Sequence, residues 1–329
     1  MVVASRTTDE GSYMNLEAIE KRARHATLAV GRIAVGLLWI ANAHWKRPSD
    51  FGAKKRNGLA KYIEYGIKNP VIPPYRWFLR EVVKPHLTAF GWITLCAEVM
   101  IGTLILLGWH TRLIALAGTV LSLNIALTVL LTTTPYEWPW SYYLMVVVHL
   151  VLATTGAGRH GGLDGIRNSK NHRRAWLPLG LFALVPGVIG VILAADQKFT
   201  AKIGTLVGWA PGELKLFWFN TLGAIVAVVI GLLALVGWWL RNRLAVMAAA
   251  AIAGLAALQV LIQWRDGPNG ETGGLLGGNG GTLCLWFGLA FGLAVTAFGD
   301  ARHRGTPQPA ESAAESAAES AAVTRIATA

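Results

Sequence analysis

Eight apolar runs constrain this chain more than any other feature of it. In order they cover residues 26–43, 89–109, 113–131, 141–155, 176–195, 216–239, 244–263 and 281–298. A hydrocarbon layer about 30 Å thick takes roughly 20 helical residues to cross, and inside it every backbone polar group must be satisfied within the segment. Runs of this length and number predict an all-α membrane protein with eight transmembrane helices, multi-pass in the cell membrane. With 53% hydrophobic and only 15% charged residues, the chain is too apolar for a soluble domain. Its net charge of +12 lies between the runs rather than along a soluble face, which points to anionic headgroups of the lipid bilayer and excludes nucleic acid as the partner. Both cysteines, Cys96 and Cys284, fall inside predicted spans, and no two histidines lie three or four apart within one span. Neither a disulfide nor a metal or haem site is therefore expected.

The runs repeat. Residues 98–112, EVMIGTLILLGWHTR, and 227–241, AVVIGLLALVGWWLR, share eight of fifteen positions without a gap, among them Gly102/Gly231, Gly108/Gly237, Trp109/Trp238 and Arg112/Arg241. A Gly-Trp-x-x-Arg terminus in fixed register argues for internal duplication. Farther out, Gly156-x-x-Arg159-His160 matches Gly299-x-x-Arg302-His303, and Lys46 corresponds to Lys198. Four spans per copy give both copies one orientation. The expected organisation is an N-terminal cytoplasmic segment, 1–25, then a four-helix unit, 26–166. A diverged second unit follows over 176–300, and the tail 305–329 carries AESAAESAAESAA with nothing to pack against.

Within the first unit, residues 44–88 hold ten Lys/Arg among interleaved rings at Tyr62, Tyr65, Tyr75, Trp77 and Phe78. Two helical pieces separated by Asn69-Pro70 and Pro73-Pro74 read as an in-plane interfacial collar, and as a docking surface for an acidic redox subunit. Counted over whole loops, Lys and Arg divide 15 to 14 between the two sides. Setting the collar aside leaves 15 against 4, which puts both termini in the cytoplasm. Arg32, one to two turns inside the first span, is expected to snorkel toward headgroups.

Arg32-Ile33 with Gly36 and Trp39, Lys46 beyond the span end, Glu98-x-x-x-Gly102 leading to Leu107-Gly108 and Arg112, and the closing Gly156-Ala-Gly-Arg159-His-Gly-Gly-Leu163-Asp164 together resemble the DoxX/DoxD-like family. The resemblance covers residues 26–166, and Gly162 stands where that family commonly has Ser. It implies two tandem DoxX-like four-helix bundles and a role like that of the small subunit of thiosulfate:quinone oxidoreductase. The expected activity is a quinone-linked oxidoreductase subunit acting on thiosulfate or a similar small sulfur anion. Its cofactor would be quinone, with electrons entering through a partner subunit or by direct attack of the substrate, because the chain has no flavin, haem or iron–sulfur motif.

Three polar side chains fall near mid-depth of separate spans: Glu98, Asn124 and His149. Each costs a few kcal/mol to place in hydrocarbon, so they should face one another or a cavity. Their counterparts Ala227, Ala253 and Gly292 are non-polar, so the bundle does not need them. A quinone requires donors or proton carriers at its carbonyl oxygens within an apolar slot. Glu98 and His149 are the candidate catalytic proton carriers, Asn124 and Trp92 would shape the cofactor slot, and Lys46, His44 and Arg112 would meet an anionic substrate. The competing interpretation makes Glu98, Asn124 and His149 a buried network that only fixes helix packing. Two other functions remain open: a non-catalytic anchor or assembly factor for soluble redox or stress enzymes, and a proton or solute transporter using the same carboxylate.

Overall fold

The computed structural model describes residues 9–43, 45, 46, 48, 50–131, 139–167, 169, 171–194, 200, 201, 217, 219–264 and 274–305. His44, Lys198 and the tail beyond residue 305 lie outside them. The helices are α1 (Asp9–Ala43), α2 (Gly58–Lys68), α3 (Pro73–Phe78, running on into a π turn over Leu79–Val83) and α4 (Leu87–Leu107). After them come α5 (Thr111–Val129), α6 (Pro139–Thr155), the single turn α7 (Leu163–Ile166), α8 (Trp176–Ala194), α9 (Thr221–Leu240), α10 (Arg243–Ile262) and α11 (Gly280–Gly305). The one extended pairing among the described residues is a two-residue antiparallel ladder, Thr200 with Asn220 and Ala201 with Phe219.

Among the described residues, seven helices are long and apolar enough to cross a bilayer: those of α1, α4, α5, α8, α9, α10 and α11. The remaining run, Trp140–Thr155, is apolar but shorter. The protein is thus an all-α, multi-pass membrane protein. Its exposed Leu, Ile and Val side chains along the spans, such as Val120, Val147 and Leu255, face lipid.

Pairing in the first half puts α1 on α4 and α5 on α6; in the second half α8 packs on α9 and α10 on α11. The halves meet where α11 lies against α4. Glycines set the close approaches. A Cβ on Gly36 would press on the backbone of Leu106, one on Gly102 on Trp39, and one on Gly231 on the backbone of Leu184.

Helix ends follow local chemistry. α4 stops because Gly108 adopts φ +69°, and Gly108 and Trp109 N–H return to Ile105 and Leu104 carbonyls at 3.0 Å, a Schellman ending. α10 starts where Asn242 Oδ1 accepts from Leu244 N–H at 2.9 Å. The two Gly-Trp-x-x-Arg segments differ here. α9 continues straight through Gly237 to Leu240, and Gly237 instead makes room for Val246 of α10. The closing motifs differ likewise: Gly156, at φ +63°, follows the end of α6, whereas Gly299 sits within α11 against the ring of His172.

Arg32 does not snorkel. It is 1% exposed, and its guanidinium donates to the carbonyls of Ile105 (2.7 Å), Leu106 and Gly161 (3.2 Å). The carbonyls at the end of α4 are a better destination than headgroups: Ile105 already accepts from Gly108 N–H and takes Arg32 on its second lone pair, and Leu106 takes Arg32 as well. Asp164 does the complementary work at the next helix. Its carboxylate accepts from His110 N–H at 2.8 Å and Thr111 N–H at 2.9 Å, capping α5. The closing motif of the first half is therefore a clasp under the α4–α5 turn.

A pocket over a buried ion pair

α1 ends halfway along its partner. Asn42 Nδ2 donates to Glu98 Oε1 at 2.9 Å, and Glu98 is the twelfth residue of the 21-residue α4. Beyond Ala43 the chain runs in turns beside the first half of α4, where Phe51 fills the space left by Gly91 and meets the edge of Trp92, ring centroids 5.8 Å apart. Irregular backbone at membrane depth survives where it is buried in protein or lines a cavity. Here it is both: Phe51 and Gly52 are buried, and the turn carries Lys46.

Lys46 and Glu98 are 3% and 1% exposed, with Nζ 2.9 Å from Oε2. Nζ also donates to the Asn42 carbonyl at 3.3 Å and lies 3.8 Å from the centroid of the Trp45 ring. Trp45 Nε1 in turn donates to Asn42 Oδ1 at 3.2 Å. Burying two charges costs several kcal/mol each and is offset by their mutual attraction together with further hydrogen bonds; here Asn42 Nδ2 serves Oε1, while Oε2 has the Lys46 ammonium alone. The position also suits a cation, because the last carbonyls of α1 carry the negative end of its dipole.

Over this pair lies a pocket of about 460 Å³. α4, α5 and α6 form its walls through residues such as Thr94, Leu121 and Met145, and the 44–88 segment forms its roof through Leu59, Ile63 and Phe78. The segment expected as a collar is thus a lid as well. Gly66 lets α2 come down onto the Thr128 carbonyl of α5. From α3, Tyr75 Oη donates to Asn124 Oδ1 at 2.7 Å and lies 3.0 Å from Thr128 Oγ1. Burial pushes the Tyr75 phenol above its ordinary pKa, so it is a neutral donor.

Of the residues singled out in the sequence, the pocket gathers Glu98, Lys46 and Asn124. Lys46 stands there as the partner of Glu98 rather than as a free cation for an anion. His149 is elsewhere, between helices. Trp39 Nε1 donates to its Nε2 at 2.7 Å, its Nδ1 is 2.6 Å from the Met145 carbonyl, and Gly118 gives its ring room. Both ring nitrogens are thus engaged with the proton on Nδ1, and Met145, one turn earlier, reaches the pocket in its place. Trp92 packs on Phe51 outside the lining. Arg112 is exposed in the first turn of α5, past the far end of α4, whose last residue Leu107 is itself about 13 Å along the axis from Glu98. The structure therefore separates it from Lys46. His44 is outside the described residues.

Asn42, Trp45, Tyr75 and Thr128 are the site residues that sequence reasoning did not assign. Asn42 and Lys46 stand four apart where an apolar run gives out, and that spacing was the available signal.

Residues 28–184 match the family model described as TQO small subunit DoxD. No curated protein and no solved structure matches the chain.

Proposed function

The chain belongs to the DoxD family over residues 28–184, and on that premise we propose that it is the quinone-binding membrane subunit of a thiosulfate:quinone oxidoreductase-type complex. The carrying observation is the compensated Lys46–Glu98 pair at the floor of an apolar pocket. A volume of about 460 Å³ falls within the usual range for small-molecule sites. The residues suit a quinone head: aromatic and aliphatic walls for a flat ring, the Lys46 ammonium as donor at the floor, and the Asn124 carboxamide N–H, its oxygen held by Tyr75, as donor at the α5 side. A bound quinone supplies a two-electron, two-proton acceptor. Glu98 and Lys46 hold a mobile proton between them at the closed end. Asn42 and Trp45 keep that pair oriented, and the α2–α3 lid excludes water.

The oxidation of a sulfur anion belongs to a partner subunit in this reading, because the pocket floor carries no net positive charge. The outer side of the lid carries exposed Lys54, Lys55, Arg56 and Arg80, a surface suited to an acidic partner. That same surface favours the second reading, an anchor for soluble redox enzymes. Both termini are assigned to the cytoplasmic side on the loop charge count, and two tandem units, 26–166 and 176–300, remain our description of the organisation.

The test replaces the pair by neutral amides in the native-membrane complex. Glu98→Gln and the double Lys46→Gln/Glu98→Gln should lower quinone-linked turnover at least a hundredfold, while the double variant still purifies as a monodisperse species with bound quinone visible in its absorbance spectrum. Full turnover in the double variant removes the pair from the chemistry. Partner retention without any quinone would favour the anchor.

A further inference from the structure

The pocket has a roof and a floor, but one of its walls faces the bilayer. Two of its lining residues lie on the lipid side of their helices: Ile93 of α4 is 63% exposed, and Asn124 of α5 is exposed as well. Toward the loop side, α2 and α3 lie across the pocket with apolar side chains inward, and Lys84 Nζ, 3.6 Å from Glu64 Oε1, ties the π turn back to α2.

Asn124 is the informative residue. A carboxamide left among acyl chains is costly, yet this one sits at the opening with its oxygen held by Tyr75 from the lid and its carbonyl satisfied by Thr128 Oγ1 at 2.8 Å. Six of the pocket's polar side chains thus form two hydrogen-bonded clusters. One, Asn42, Lys46 and Glu98, is at the floor; the other, Tyr75, Asn124 and Thr128, is at the lipid-facing mouth. Ala97, Leu121 and Ile125 add apolar wall to the same pocket. The floor is already electroneutral, which disfavours a small anion from water.

We propose that the pocket opens sideways into the bilayer, through a mouth framed by Ile93, Asn124 and Tyr142. Its ligand is then an uncharged lipid-soluble amphiphile, with its polar head toward Lys46 and Glu98 and its apolar tail leaving between the helices. This rests on the quinone reading for the identity of the head but not for the route. The route holds for any lipid-soluble ligand, and it predicts that the pocket interior is reached from lipid and not from water.

The experiment places a thiol inside the pocket and asks which phase reaches it. In the full chain, reconstituted in lipid nanodiscs with Cys96→Ser, Ala97→Cys is labelled with either an N-alkyl maleimide or a charged, membrane-impermeant thiosulfonate; Leu121→Cys on α5 serves as a second position should the first fold poorly. The protein without the added thiol gives the background. The alkyl reagent should react at least tenfold faster than the charged one, each relative to its rate with an exposed loop thiol at Lys54→Cys. Adding Ile93→Trp should slow the alkyl reagent at least fivefold. Equal relative rates for the two reagents, or no effect of Ile93→Trp at either thiol, would overturn the lateral mouth. Protection of the thiol by a tailed benzoquinone separates the two proposals. Without it, preferential labelling from lipid upholds the mouth and the quinone reading falls alone.

Discussion

Set side by side, the two halves use the same close contacts and reach opposite interiors. Gly102 of α4 admits Trp39 of α1, and Gly231 of α9 admits Leu184 of α8. Four residues earlier on the same face stand Glu98 in one half and Ala227 in the other. In the second half α8 keeps going, and Gly187 brings its backbone within contact of Ala227, which is fully buried. In the first half α1 stops at Ala43, and the missing half-helix is replaced by a turn carrying Lys46 and by a lid. The neighbouring helices repeat the contrast. Ala249, Ala253 and Ala256 of α10 are buried, whereas Asn124, which falls opposite Ala253 when the two Gly-Trp-x-x-Arg segments are aligned, lines a pocket. A helix that ends early, more than any single polar residue, turns a packed seam into a cavity.

The contrast breaks most severely if the second half is given the first half's charge. Ala227→Glu buries a carboxylate with no cation and overfills the Gly187 contact. It should cost about 3–5 kcal/mol or more, read as loss of the monodisperse peak in detergent size-exclusion chromatography. Next is Lys46→Met, which strands Glu98. About 3 kcal/mol of destabilisation is expected, and the double Lys46→Met/Glu98→Leu should recover most of it; thermal unfolding in detergent measures both. If the double variant is no better than the single, the pair is not coupled as described.

Arg32→Met takes the guanidinium donor from the Leu106 and Gly161 carbonyls, while Ile105 keeps Gly108 N–H, and should cost about 2 kcal/mol, visible in the same melt. Tyr75→Phe removes the lid's hydrogen bond to Asn124, a loss of about 1 kcal/mol, and should increase protease nicking within the 44–88 segment. A smaller effect comes from pH. The Asp50 carboxyl is held below its ordinary pKa, first by the N–H of Lys54 (3.0 Å) and then by that of Gly52 (2.9 Å). Its support of the turn is complete above the ordinary carboxylate value of about 4 and fades as pH falls through the lower folded value. Amide protection at Gly52 and Lys54 should drop between pH 5 and pH 3 and be unchanged between pH 5 and pH 7.

The spans were legible because hydrocarbon imposes their length, and Glu98 was legible because a lone carboxylate in an apolar run is costly. What periodicity does not carry is where one helix ends relative to another. Nothing local to Lys46 says that it lies beside the middle of α4, so it read as a cation for substrate instead of the counterion of Glu98. Arg32 misled for the same reason: its distance from the end of its own span suggested headgroups, while the decisive acceptors were the carbonyls at the end of α4, more than seventy residues away. His149 looked reactive because its neighbours in sequence are apolar, and the Trp39 indole that occupies its Nε2 comes from another helix. Residues 44–88 were recognised as amphipathic, which is correct for a collar and for a lid alike. Choosing between those needed the α2–α5 contact at Gly66.

The grip of Arg32 on three carbonyls, from the end of α4 and from the turn after α6, makes a mechanical stop. Sliding α1 along its neighbour by even one turn would strip a buried guanidinium of all its acceptors at once, so piston motion of that helix is suppressed. The depth of Lys46 beneath its roof is then a fixed dimension of the protein, and a guest of any length meets the ion pair at the same level in the bilayer.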